Sequence, residues 1–325
     1  MNNELQNSTN TALTLNDILS LFSFDFIKWS NLDAKYQKNE KNGKTLEGDH
    51  FKVFYTCNKD KIPKIQNVLN FPNSYISGHQ LSPINNNQND ISVLVKQAKE
   101  DEIIREVIAS QILNYYNCET AFYFGTIGSK LNPYNSISID FISPDENFYT
   151  LQNLDFYDIW EIKDSIAEFN PNCRTSINPM PIILQNASIK QRENLIRSFV
   201  RSYMVRTILL RDSDHTNYNQ GILINPKKKI YSFINFDYEN AFSEGNLENE
   251  HRLSLKYIFN EYPDIYNEIF VKSLEIYNLL LSLPSPNSST RGKLLKRFKS
   301  SLDEFIKFSK LEYEDVEFDV SQKSI

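Results

Sequence analysis

Asp214-His215-Thr216-Asn217-Tyr218-Asn219-Gln220-Gly221-Ile222-Leu223-Ile224 decides the architecture, because it joins a long helical pattern to a hairpin pattern. Upstream, residues 190–210 place Leu195, Ile196, Phe199, Val200, Tyr203, Met204, Thr207 and Ile208 in one helical stripe. Downstream, the apolar runs 221–224 and 230–236 flank the turn Asn225-Pro226-Lys227-Lys228-Lys229, which predicts a β-hairpin. The pattern is then helical again over 250–261, 263–283 and 290–311, with a break at Leu283-Pro284-Ser285-Pro286-Asn287. The acidic tail after Leu311 is expected to be disordered.

Working back toward the N-terminus, the character changes near residue 150. Residues 1–12 are polar and expected to be loose. Residues 15–32 read as a helix with an apolar face of Leu15, Ile18, Leu19, Leu21, Phe22, Phe26 and Ile27. Residues 33–50, charged and containing Gly43 and Gly48, read as a linker. Phe51-Lys52-Val53-Phe54-Tyr55 alternates like a strand, and Ile91-Ser92-Val93-Leu94-Val95-Lys96 follows the polar turn 83–90 as another. A helix over 100–116 carries Ile103, Ile104, Val107, Ile108, Ile112 and Leu113, and the segments 121–124 and 136–141 read as two further strands. The expected fold class is α+β, with a small strand-rich lobe before a mostly helical lobe and the site in the cleft between them. The expected division is an N-terminal helical extension and linker (1–50), a small lobe (51–148) and a helical lobe (149–325).

Composition narrows the function classes. The 325 residues suffice for two lobes with a sizeable core. Only 8 Gly argue against a dinucleotide-binding turn. Cys57, Cys118 and Cys173 are odd in number and lack metal-like spacing, so a disulfide scaffold or zinc module is not expected and a reducing compartment is. A net charge of −6 does not suit a general nucleic-acid binder. No apolar run is long enough for a membrane span, and Met1-Asn2-Asn3-Glu4 lacks a signal pattern; a cytoplasmic location is expected, with secretion by another route left open. There is no Gly-x-x-x-x-Gly-Lys-[Ser/Thr] and no Gly-x-Ser-x-Gly, while His50, His79, His215 and His251 stand apart. The basic run 291–299 reads as a solvated face rather than a nucleic-acid or membrane patch.

The chemistry rests on placement. Lys96 ends a strand and Glu106 lies on the next helix; a lysine held by a glutamate grips phosphate oxygens as a fixed cation, whereas the bland alternative is a surface lysine and an ordinary helical glutamate. Asp214 and Asn219 stand five apart. With 38 Asn in the chain such pairs arise by chance, and Asp212 with Asn217 is a rival in the same loop. Gly221, two residues after Asn219, favours the pair Asp214 and Asn219. Asp237 directly follows the second hairpin strand and Asn219 precedes the first, so an antiparallel hairpin brings them together. Two oxygen ligands at one point suit Mg²⁺ held jointly with substrate phosphates; the alternative is two turn residues capping a hairpin.

These segments resemble the HipA-like branch of the protein kinase superfamily, and specifically its short members. Tyr75-Ile76-Ser77-Gly78-His79-Gln80 resembles the phosphate-covering loop, Glu106 through Leu113 the helix bearing the family glutamate, and Asp214 through Leu223 the catalytic loop at its Asp, Asn, Gly and Leu. Phe236-Asp237 resembles the metal-binding aspartate and its preceding residue. The resemblance spans residues 75–242 and implies a two-lobed protein-kinase-like fold and an ATP- and Mg²⁺-dependent serine/threonine protein kinase. In it Ser77, Gly78, His79 and Gln80 cover the phosphates. Lys96, fixed by Glu106, orients them, Asp214 takes the hydroxyl proton, and Asn219 and Asp237 hold metal. It also implies autophosphorylation at Ser77, a toxin-like or host-directed role, and a protein substrate with an antitoxin-type or regulatory protein partner. Membrane and direct nucleic-acid partners are not expected. The chain departs from the family at Ser82, where a lysine is usual, and at His215-Thr216, where Arg-His is usual. A kinase of small metabolites and a catalytically dead pseudokinase that acts as a binding module remain as alternatives.

Overall fold

The computed structural model describes residues 13–36, 52–62, 90–128, 133–142, 146–151, 187–213, 219–245, 249–284 and 288–322. The chain opens with α1 (Leu15–Leu21), capped reciprocally by Thr14 and Asp17. Next come β1 (Ile27–Lys28), β2 (Lys35–Tyr36), β3 (Lys52–Asn58) and β4 (Asp90–Gln97). After α2 (Glu100–Tyr115) follow β5 (Tyr123–Ile127), β6 (Tyr134–Ile139) and β7 (Asn147–Thr150). The second half holds α3 (Ile189–Tyr203), β8 (Gln220–Asn225), β9 (Ile230–Asn235), α4 (Asn249–Glu261), α5 (Pro263–Leu281) and α6 (Thr290–Gln322). This is an α+β plan in two parts: a sheet with one packed helix, then helices around a hairpin.

The first sheet has six strands in the order β1-β5-β6-β4-β3-β2, antiparallel except for β1 beside β5. Its strands alternate, and that alternation aims the site. Ile91, Val93 and Val95 of β4 join Ile137 and Ile139 of β6 in an apolar layer on one face. Lys96 therefore emerges on the other face, directly across from Ser136 of β6 and Lys52 of β3. That face is covered by α2, whose first turn carries Glu100, Asp101 and Glu102 at the positive end of the helix dipole. α2 is buried on nearly all sides, since Ile103, Ile104, Val107, Ile108, Ile112 and Leu113 pack into a core that continues through Phe199 of α3 to Phe298 and Phe305 of α6. The two lobes thus share one apolar core.

β7, β8 and β9 form the second sheet. Gly221 is required there by closeness rather than by backbone angle: a Cβ on it would lie 2.5 Å from the Tyr149 carbonyl oxygen and against the Phe148 ring. The hairpin turn is closed by Asn225, whose side-chain oxygen accepts from the Lys228 N–H at 2.9 Å.

Three expectations are corrected. The helix read over 15–32 ends at Leu21, and burial then alternates over Phe22-Ser23-Phe24-Asp25, with Phe22 and Phe24 buried and Ser23 and Asp25 exposed, before Phe26 interrupts the alternation ahead of β1. The segment read as a linker from 33 contains β2, which pairs with β3. The tail read as disordered is helical, since α6 runs to Gln322. The basic run 291–299 is docked as well as solvated. Arg291 stacks on Phe24, Arg297 donates to the Phe242 carbonyl at 2.8 Å, and Lys299 donates to the Leu280 carbonyl at 2.9 Å. Among the described residues no helix is long and apolar enough to cross a membrane.

Replacing Gly221 by Ala forces the β7 backbone or the Phe148 ring to shift, so it lowers stability by about 1–3 kcal/mol, the usual cost of overpacking. A urea titration with a lower midpoint and an unchanged slope is the expected result.

Candidate active site

A buried ammonium needs partners, and Lys96 has them from both halves of the chain. Its side chain is 7% exposed, and its Nζ donates to Glu106 Oε1 at 3.0 Å, Asp237 Oδ1 at 2.8 Å and Glu239 Oε2 at 2.6 Å. A lysine ammonium has three N–H groups, so each is matched by one carboxylate. Glu106 comes from α2, and Asp237 and Glu239 from the segment that follows β9. Lys52 Nζ approaches Asp237 Oδ2 at 3.7 Å from the strand beside β4, and its backbone is paired with that of Lys96. Two lysines directly opposite on one sheet face repel, and the carboxylates between them offset that repulsion.

The carboxylates are held by different means. Glu106 is fully buried, and its second oxygen accepts from the Ser136 hydroxyl on β6. Asp237 is held by its main chain. Its N–H donates to Tyr123 Oη at 2.9 Å, its carbonyl accepts from Arg206 at 2.7 Å, and its φ of +60° puts it in the left-handed region that aspartate tolerates better than most residues. The Asp237 and Glu239 side chains are similarly exposed, at 19% and 22%, whereas Glu106 has no exposure.

Burial would lower the Lys96 pKa, but Glu106, Asp237 and Glu239 outweigh it and hold the ammonium well above its usual range. Burial pushes the Glu106 carboxyl up to about 7 against the pull of Lys96, with Asp237 adding to the rise. Asp237 goes the other way: burial opposes its charge, yet Lys96 and Lys52 hold it below the usual carboxylate range. Asp237 is therefore the committed anion of the group.

A second buried charge fixes the hairpin. α3 continues into a wider, π-helical turn at Met204–Leu209, all of whose residues are buried. Arg206 in this turn is 1% exposed. Its guanidinium donates to Asp212 Oδ2 at 2.6 Å, to the Asn219 carbonyl at 2.8 Å and to the Asp237 carbonyl at 2.7 Å. It also lies 4.8 Å from the centre of the Tyr238 ring. One planar group thus ties together the entrance and the exit of the hairpin. The Phe236 N–H adds a direct bond to the Asn219 carbonyl at 3.1 Å.

Of the residues picked from sequence, Lys96, Glu106 and Asp237 meet, and Asn219 is joined to the Asp237 segment through its backbone. Asp212, the rival to Asp214, is consumed by the Arg206 ion pair. Ser77, Gly78, His79, Gln80, Ser82, Asp214, His215, Thr216 and Asn217 lie outside the described residues. Sequence reading missed Glu239, Lys52 and Arg206. Lys52 had a usable signal: it stands one residue from the start of a strand and has the parity of Lys96 once those strands pair. Glu106, Asp237 and Glu239 place carboxylate oxygens within 4.8 Å of one another, a donor set that suits a hard divalent cation. Cys57 and Cys118 are buried free thiols remote in role from this cluster, and burial pushes the Cys57 thiol up to about 12.

No family model matches the chain, and a search of curated proteins finds no match. Among solved structures it is similar to the Helicobacter pylori proinflammatory kinase CtkA, at 13% identity over 70% of this chain and 92% of that chain, with a TM-score of 0.43.

Two outcomes follow from the buried charges. Arg206→Met removes the buried cation paired with Asp212, which costs about 3–5 kcal/mol, whereas adding Asp212→Leu restores part of the loss; chemical denaturation of both variants measures the difference. Glu106 is raised from 4.5 to about 7, so between these values the folded chain keeps a proton that the unfolded chain has lost. Its contribution is complete below 4.5 and is lost as pH rises through about 7. Glu106→Gln is expected to flatten that decline when unfolding is compared at pH 5 and pH 8.

Proposed function

We propose that this chain is an ATP- and Mg²⁺-dependent phosphotransferase of the HipA-like type that transfers the γ-phosphate to Ser or Thr of a protein. One observation carries the reading: a single lysine on a sheet strand is bound at once to a helix glutamate and to the aspartate that follows the hairpin. The glutamate fixes the cation, and the aspartate places an anionic oxygen beside the position where phosphate oxygens would meet that cation.

In this reading Lys96 grips the phosphates and Glu106 aims it. Asp237 holds the divalent cation together with Asn219, whose backbone is pinned to the same arginine. The cation would neutralise charge on the phosphates. Lys52 faces the same point from β3 and supplies a second cation where the family's loop lysine is Ser82. Asp214, five residues before Asn219, accepts the proton of the attacking hydroxyl, and Ser77 to Gln80 cover the phosphates. A host-directed or toxin-like role, and Ser77 as a site of self-modification, belong to the same proposal.

The test is phosphate incorporation into lysate protein from labelled Mg-ATP. Asp214→Ala and Asp237→Asn should each reduce turnover by about 10²-fold or more, the usual share of a catalytic base or charge-stabilising group, with the thermal transition retained. Lys52→Ala should raise KM for ATP more than it lowers kcat. Label appearing only in small molecules would make the chain a metabolite kinase. Nucleotide binding with no Asp214-dependent turnover would make it a pseudokinase.

A further inference from the structure

Phe242 has a backbone conformation that a bulky residue seldom adopts. Its φ is +63°, in the left-handed region, and it is buried. Its main chain is bonded on both sides: the N–H donates to the Leu210 carbonyl, and the carbonyl accepts from Arg297 at 2.8 Å. Asp237, five residues earlier, is left-handed too, at +60°. The loop 237–242 therefore has an uncommon conformation at each end, and such conformations persist only where their surroundings enforce them.

We infer that Phe22 is a positioning residue for Asp237, acting through Phe242. Its effect on turnover rests on the phosphotransferase reading above. The Phe22 ring centre lies 6.4 Å from that of Phe242 and 5.8 Å from that of Phe298 on α6, both as tilted pairs. The chain that carries Phe22 then runs to the first sheet. Phe26 packs on Gly125 of β5, where an added Cβ would lie 2.7 Å from its ring, and Ile27 pairs with Thr126 of the same strand. Between them and Phe22, the crossing is fastened by Arg291, whose guanidinium lies 4.7 Å from the centre of the Phe24 ring and donates to the Phe24 carbonyl.

β5 is also the strand that carries Tyr123, which accepts the Asp237 N–H at 2.9 Å. The contacts close a circuit. It runs from β5 through Tyr123 to Asp237, along the loop to Phe242, across to Phe22, and back through Phe26 and Ile27 to β5. Both ends of the loop are thereby referred to one strand. Leu210, Arg297 and Phe298 also hold the Phe242 end, but they belong to the helical part; Phe22 is the partner whose own chain joins the first sheet. Without the Phe22 ring, local opening of the loop costs less, and the Asp237 carboxylate spends more time away from Lys96.

The experiment compares the full chain as wild type, Phe22→Leu and Phe22→Ala. Amide hydrogen exchange is measured first, without nucleotide, at Asp237 and Phe242 and at control amides in β4 and α3. Phe22→Ala should raise exchange at Asp237 and Phe242 at least about tenfold more than at the controls, with Phe22→Leu between it and wild type. Phosphate incorporation into lysate protein is then followed against Mg²⁺ concentration. The Mg²⁺ needed for half-maximal turnover should rise by about tenfold in Phe22→Ala and less in Phe22→Leu. If Phe22→Ala does not fold, a preferential rise of about threefold in Phe22→Leu decides the matter. An equal rise at all amides marks a loss of global stability alone and overturns the role of Phe22. An unaltered Mg²⁺ requirement in variants that turn over also overturns it, while leaving the phosphotransferase reading in place. Preferential exchange at Asp237 and Phe242, with no turnover by wild type, supports the positioning role and overturns that reading instead.

Discussion

An ammonium group cannot be buried without anions, and at Lys96 the anions come from segments 10, 141 and 143 residues away in the chain. That requirement fixes the relation between the parts of the molecule. The strand parity of β4 turns Lys96 toward α2, α2 must then present Glu106, and the segment after β9 must come close enough to supply Asp237 and Glu239. Removing the lysine would leave the fully buried Glu106 without its cation, so the arrangement is all or none. Such a cluster is a poor source of net stability, because desolvating the charges cancels much of what their attraction returns. Its physical value lies in geometry: it specifies one approach of the hairpin to the sheet.

Arg206 does the complementary task inside the helical lobe. A hairpin by itself places its two ends near each other, but loosely. The guanidinium binds the carbonyls of Asn219 and Asp237 together, and Asp212 holds the guanidinium. Side chains at Asn219 and Asp237 are therefore positioned through main-chain bonds, which survive replacement of the side chains themselves. The left-handed backbone at Asp237 belongs to the same device. A φ of +60° is a strained choice for a residue with a Cβ, and it persists because bonds at both the N–H and the carbonyl demand it.

Much of this was legible in the sequence, and the limits have physical causes. Helical stripes such as Leu195, Ile196, Phe199 and Val200 mark α3 because a one-sided burial pattern has a period that can be read. The hairpin was legible because its turn residues and its apolar runs agree. Lys96, Glu106 and Asp237 were found by their positions on elements, and only tertiary structure could show that they touch. Glu239 was hidden because a glutamate two residues beyond a turn looks like any surface charge. Arg206 was hidden because it sits within an apolar stripe, where an arginine reads as a flank residue; the wider π-helical turn, which sequence does not announce, buries all its sides. The alternation of Phe22-Ser23-Phe24-Asp25 was present in the letters but masked by an apolar helix directly before it.

The charge balance explains why the resting cluster has the composition it does. Three carboxylates face two lysines, so the group is anionic if every member is ionised, and burial answers by pushing the Glu106 carboxyl toward its neutral form. A pocket poised in this way is self-sufficient: it has no need of a bound anion to satisfy Lys96. A site dedicated to free phosphate would do the opposite and leave cationic donors in excess. The surplus of carboxylate oxygen at a lysine that is otherwise suited to phosphate is understandable if charge enters this site in both signs together, a polyphosphate on the lysines and a cation on the carboxylates.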